Sequence, residues 1–97
     1  MLNHFVMFKL KAECRDDLDE VVSKLESLQD KVPAIRSSRV YRNDLQGPNS
    51  FDVMYHIVLD DERAFREDYM LHPEHVPVQR FIEERVCGIG DLDSVAE

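Results

Sequence analysis

Apolar residues crowd Leu2 to Leu10, and the β-rich, aromatic composition of this run predicts a strand whose two faces are both apolar at the start and both covered. With a period of two, His4, Val6, Phe8 and Leu10 share one face, while Phe5, Met7, Lys9 and Lys11 share the other. The period then changes. Leu18, Val21, Val22, Leu25, Leu28 and Val32 recur at spacings of three and four, which predicts a helix over 16–32. Its first turns are acidic, as the helix dipole favours, and Pro33 ends it. Residues 35–42 read as a second, weaker strand, and 43–50, dense in turn formers, as a loop. Alternation returns over 51–59. Phe51, Val53, Tyr55, Ile57 and Leu59 make one face; Asp52, Met54, His56 and Val58 make the other. Asp60-Asp61-Glu62 then opens a helix that turns Ala64, Phe65 and Tyr69 inward. His72-Pro73-Glu74-His75 interrupts it, and Val78, Phe81, Ile82, Arg85 and Val86 resume helical spacing. Residues 87–95 supply a last strand, loosened by Gly88 and Gly90 and suited to a sheet edge.

The order β-α-β-β-α-(α)-β is the split βαβ, or ferredoxin-like, arrangement: an α+β fold with a four-stranded antiparallel sheet and helices on one face. The other face is then bare. Phe5, Met7, Phe51, Val53, Tyr55 and Ile57 are assigned to it. A patch that large exceeds what a monomer usually leaves in water. The simplest cover is the sheet of a second copy, giving a homodimeric α/β barrel.

Length and charge bound the function. At 97 residues the chain is one domain, 1–97, that buries roughly 60–65% of its unfolded surface. Acidic residues outnumber basic ones, 20 to 12, for a net charge of −8. That disfavours nucleic acid, which rewards clustered Lys and Arg, and it repels anionic membranes. No apolar run approaches the ~20 residues of a membrane span, and no signal-peptide pattern is read at the start. The expectation is a cytoplasmic protein, with Cys14 and Cys87 as free thiols.

The chemistry rests on histidine and tyrosine. Beside Val6 and Phe8, and beside Met54 and Val58, His4 and His56 are both assigned to the helix-covered face. Tyr69, His72 and His75 lie at the joint between two helical segments. All of them can converge at one end of the space between sheet and helices. The competing reading is packing: hydrogen-bonded core histidines, His72 as a helix cap, and Tyr69 tethered at a wet edge. His72-x-x-His75 with His4 or His56 has the makings of a metal site, but Pro73 disturbs the helix and no regular zinc spacing is present. Asp60-Asp61-Glu62 reads as a helix N-terminus rather than a cation site. Phosphate-binding and nucleotide-binding loops are missing from the sequence, and no cofactor or metal is expected.

Five runs together resemble the stress-responsive A/B barrel (Dabb) family from end to end. They are His4-Phe5-Val6-Met7-Phe8-Lys9, Val32-Pro33-Ala34-Ile35, Arg42-Asn43, Tyr55-His56-Ile57-Val58 and Tyr69-Met70-Leu71-His72-Pro73-Glu74-His75. The last is the most specific. The resemblance implies a ferredoxin-like protomer and a homodimer whose sheets pack into a barrel. It also implies a branch resembling polyketide cyclases, whose functional groups match His4, His56, Tyr69 and His75. That branch carries a further Tyr on helix one, where this chain has Leu25. A cofactor-free aldol closure needs a base beside a carbonyl and a donor on the enolate oxygen. His75 suits the first role and Tyr69 the second, with His4 and His56 orienting or relaying. The expected function is a small apolar pocket for an oxygenated hydrophobic metabolite. The alternatives are a non-catalytic protective or structural dimer, and a cofactor-free monooxygenase-like enzyme.

Overall fold

The computed structural model describes residues 1–96; Glu97, the last residue of the expected single domain, lies outside them. The chain runs β1 (Leu2–Leu10), a 3-10 segment (Ala12–Asp17), α1 (Leu18–Lys31), β2 (Ser37–Arg42), β3 (Val53–Leu59), a π-helical segment (Ala64–Tyr69), α2 (His75–Glu83) and β4 (Val86–Val95). All strand pairs are antiparallel, in the order β2-β3-β1-β4. This is the ferredoxin-like sheet the pattern predicted, with the Gly-containing β4 at an edge. The 16–32 helix begins two residues later than its apolar spacing suggests, because Ala12–Asp17 wind more tightly as 3-10 turns.

The core lies between the sheet and α1. Val21, Val22, Leu25 and Leu28 face it from the helix, as their spacing requires. Opposite them stand Phe8 and Leu10 of β1 and Val53, Tyr55, Ile57 and Leu59 of β3. These six include residues expected on the bare face, and the register corrects that expectation. His4 pairs with Ile57, Val6 with Tyr55 and Phe8 with Val53, so all point toward the helices. Phe5 pairs with His56 and Met7 with Met54, so these point away. Val53, Tyr55 and Ile57 are therefore core residues, and His56 lies on the bare face. Both parities of β3 are apolar, so alternation alone does not choose between them, and a one-residue slip moves every side chain. The more voluminous set took the core.

Part of the bare-face expectation stands. Phe5 and Met7 are on it, joined by Met54, Val58 and Leu92. The Phe51 ring lies over Gly88 and Gly90, 3.8 and 3.7 Å from where their Cβ atoms would be. Among the described residues no helix covers them.

One buried carboxylate fastens the end of the sheet. Asp52 accepts hydrogen bonds from the Leu10 backbone N–H at 2.8 Å and from Arg15 at 2.9 Å. Its two oxygens tie the end of β1 and the 3-10 segment to the start of β3, which satisfies a charge that burial would otherwise penalise.

Candidate functional site

The segment after β3 builds one wall of a cavity. Asp61 caps its start, with a carboxylate oxygen accepting from the Ala64 N–H at 2.8 Å. The helix then widens: the Met70 N–H donates to the Phe65 carbonyl, five residues back, at 3.0 Å. Such π turns recur at functional sites because they re-aim side chains. Here the turn brings Phe65 and Tyr69 onto the same side, with ring centroids 5.9 Å apart. The chain reverses through His72-Pro73-Glu74. His72 Nδ1 accepts from the Glu74 N–H at 3.0 Å, so His72 holds the turn, as one of its two readings allowed. Pro77 falls in the first turn of α2, where its missing N–H has no intrahelical partner to lose.

A cavity of about 170 Å³ opens between these segments, α1 and the sheet. His4, Tyr69 and His75 all line it. Tyr69 is the hinge of the cluster: its ring centroid is 4.2 Å from that of His75 and 6.4 Å from that of His4. All three are buried, His4 at 7%, Tyr69 at 3% and His75 at 6% exposure. His56 is not among them. On the opposite face, its ring stacks on Phe5 at 4.2 Å and its Nε2 is 2.9 Å from Asn3 Oδ1. Three of the four expected site residues thus share one cavity, and the fourth does not. His72 also stands apart, lining a surface groove with Leu71 and Pro73. Among the described residues no three His, Cys, Asp or Glu side chains are grouped as metal ligands.

Hydrogen bonds fix what each ring can do. His75 Nδ1 is 3.1 Å from the Met70 carbonyl, which only accepts, so Nδ1–H donates and Nε2 is left with the lone pair. Burial holds the His75 imidazole below its ordinary pKa, aided by His4 and His72; the Met70 carbonyl and Glu83 oppose the shift without cancelling it. His4 Nδ1 lies 2.6 Å from Asp93 Oδ1 on β4. A carboxylate accepts, so here too Nδ1–H is committed and Nε2 is free. Burial pushes the Tyr69 hydroxyl far above the ordinary phenol value, with Tyr55 adding to the effect, so Tyr69 remains a proton donor at any working pH.

Asp93 escaped the sequence reading. In the sequence Asp91 and Asp93 show only that this strand suits an edge better than a centre. Only the register, with His4 opposite Asp93, gives it a partner.

The cavity walls are apolar elsewhere. Leu25, at the place where the polyketide-cyclase branch has a Tyr, is one of them. Among the described residues no helix is long and apolar enough to cross a membrane.

Comparisons with known proteins place this geometry. No curated protein sequence matches the chain. A dimeric ferredoxin-like protein of unknown function from Thermobifida fusca superposes with a TM-score of 0.86 at 19% identity, over 98% of this chain and 90% of that one. A hydroxynitrile lyase from Passiflora edulis gives 0.83 at 16% identity, over 99% and 93%. A Dabb family protein with a ferredoxin-like fold from Mesorhizobium loti gives 0.79 at 18%, over 99% and 96%. At these identities the likeness is one of fold. The sequence itself carries the family: the model of the stress responsive A/B barrel domain matches residues 2–94, and the chain belongs to that family.

Proposed function

We propose that this protein is a homodimer that binds an oxygenated hydrophobic metabolite in the 170 Å³ cavity and moves a proton beside its carbonyl, in aldol- or lyase-type chemistry without a cofactor. One observation carries the reading. Two buried imidazoles, each with Nδ1 tied down and Nε2 free, flank a buried phenol at one apolar cavity. Packing alone needs no such arrangement, because every buried polar group costs free energy until it is partnered.

The chemistry follows from the states of the three groups. His75, neutral at neutral pH, takes a proton from the carbon next to the carbonyl through Nε2. The electron pair of that C–H bond moves to the carbonyl oxygen. Tyr69 donates its O–H to the oxygen as charge develops. The enolate carbon then attacks a second carbonyl, and the proton on His75 is returned to the new alkoxide. In reverse the same steps break a carbon–carbon bond. His4, held by Asp93, orients the substrate oxygen or relays the proton. His56 has no part in it.

The homodimer rests on the bare face of the sheet, where Phe5, Met7, Met54, Val58 and Leu92 stand without a helix over them. Dimeric neighbours of the same fold support it.

Deuterium exchange at the methyl group of acetophenone in D2O, followed by proton NMR, tests the chemistry directly. The wild-type protein is expected to accelerate exchange over buffer. His75→Gln is expected to remove about 10²–10⁴-fold of that rate. Equal rates for the two proteins would sink the reading.

A further inference from the structure

The size of the cavity and the charge of its rim narrow what it accepts; the inference rests on the carbonyl-binding reading. At about 170 Å³ the cavity is little larger than the apolar cavities of about 150 Å³ that hold one benzene molecule. Val6, Phe8, Leu25, Leu28, Val78 and Ile82 line it with methyl groups and one ring. Such walls suit a single ring or a short branched chain, and leave no room for an extended polyketone.

The mouth differs in kind. Glu83, at the end of α2, and Asp91, on β4, line it, and both are exposed. Among the described residues no Lys or Arg lines the cavity. Among the described residues, no cation lies within ion-pair distance of either carboxylate. Asp93, by contrast, is engaged by His4. Glu83 lines the same cavity as His75. The net charge of −8 adds a field of the same sign.

We propose that Glu83 and Asp91 act as a charge filter, so that the cavity takes an uncharged carbonyl compound of one-ring size and rejects a carboxylate or phosphate of equal size. The interior gives an anion nothing in return for its lost water. Its polar end offers the Tyr69 hydroxyl, a neutral His75 and a His4 already tied to the Asp93 carboxylate, with no Lys or Arg beside them. An uncharged carbonyl meets neither penalty and finds its donor at Tyr69.

Acetophenone and benzoate, near-equal in size and opposite in this respect, make the test. Each is titrated at pH 7 and low salt against the wild type and against the E83Q/D91N double variant, reading the His75 imidazole signals by NMR. Both carboxylates are exposed, so the double variant is expected to fold normally. Acetophenone is expected to bind the wild type at least about tenfold tighter than benzoate. High salt narrows the gap. The double variant brings benzoate to within about threefold of acetophenone, by tightening benzoate alone. Benzophenone, with a second ring, is expected to bind at least about tenfold more weakly than acetophenone. Benzoate binding the wild type as tightly as acetophenone, or unmoved in the double variant, overturns the filter. Benzophenone binding as tightly as acetophenone overturns the size limit. If acetophenone leaves His75 unperturbed, the filter and the carbonyl reading fall together. If charge selection is seen without α-proton exchange, the filter stands and only the chemistry is lost.

Discussion

His4 and His56 occupy the two central strands, one residue out of phase, and their surroundings could hardly differ more. His4 pairs with Ile57 and faces the helices, where it meets Phe65, Tyr69 and Asp93. His56 pairs with Phe5 and faces away, stacked on that ring with no helix above it. Both neighbourhoods are apolar. On one side the apolar residues are closed over by α1 and α2 and enclose a cavity with polar groups at one end. On the other they form an open surface with a single histidine near its middle. The same residue type thus serves a site on one face and a surface on the other. What separates them is the parity of a strand, because successive side chains of a pleated sheet point opposite ways.

The sharpest way to break this comparison is to place a charge on each face in turn. Ile57 is fully buried on the helix side. Ile57→Asp puts an unpaired carboxylate in the core and is expected to cost several kcal/mol, much of the roughly 5–15 kcal/mol that holds a domain together. Thermal and urea melts read it, and the expected outcome is a largely unfolded chain. Met54, its neighbour on the opposite parity, is half-buried in the single chain. Met54→Asp is expected to leave the fold in place and to dissociate the dimer in sedimentation equilibrium. Should Met54→Asp unfold the chain while Ile57→Asp merely dissociates it, the two faces have been assigned the wrong way round.

That pair of variants also marks how far the sequence could be read. The helix periodicity of Leu18, Val21, Val22, Leu25 and Leu28, the Asp61 cap and the turn at His72-Pro73 are local patterns, and each predicts its element without reference to the rest of the chain. The ferredoxin-like order follows from them. Register does not. Whether Val53 or Met54 faces the helices depends on which residue of β1 stands opposite, and nothing in either strand alone records it. For the same reason the sequence alone groups His56 with His4 and shows no partner for Asp93. Tyr69 and His75 were legible because they sit in one short run whose turn brings them together, whereas the His4–Asp93 contact joins residues 89 positions apart. The π turn at Ala64–Tyr69 had no signal either: its composition is that of any amphipathic helix.

A middling effect is expected from acid, and it reads the helix-covered face. Burial holds the His75 pKa below its ordinary 6.5, while the unfolded chain restores that value. Between the two values the unfolded state binds a proton that the folded state does not. Stability therefore falls as the pH drops through the imidazole range, and it is regained on returning above about 6.5. His75→Gln keeps a polar side chain at the site and removes this proton, so its stability is expected to vary less between pH 7 and pH 5.5. Urea denaturation at the two pH values measures the slope. A slope unchanged by His75→Gln would mean that His75 does not carry it.

The smallest effect concerns a second phenol beneath the cavity. Tyr55 lines the cavity and is fully buried, yet among the described residues its hydroxyl has no hydrogen-bond partner. Burial pushes its pKa up and the nearby Ser38 hydroxyl pulls the other way, but Ser38 gives its proton to Gln29 at 2.6 Å and does not meet Tyr55 in hydrogen-bond geometry. An unpartnered buried hydroxyl is a penalty without a return, and removing it by an isosteric change is close to neutral or favourable. Tyr55→Phe is therefore expected to shift stability by no more than about 1 kcal/mol, in the stabilising direction, which is a rise of up to roughly 4–8 °C in Tm for a domain of this length. Because Ser38, and not His75, stands beside the Tyr55 hydroxyl, acetophenone affinity is not expected to move. Tyr69→Phe is the counterpart: the same atom is removed, but from the polar end of the cavity, and the expected loss is in α-proton exchange rather than in Tm. A clear drop in Tm for Tyr55→Phe would mean that its hydroxyl is partnered in solution. A loss of exchange in Tyr55→Phe as large as in Tyr69→Phe would put both phenols at the reacting carbonyl.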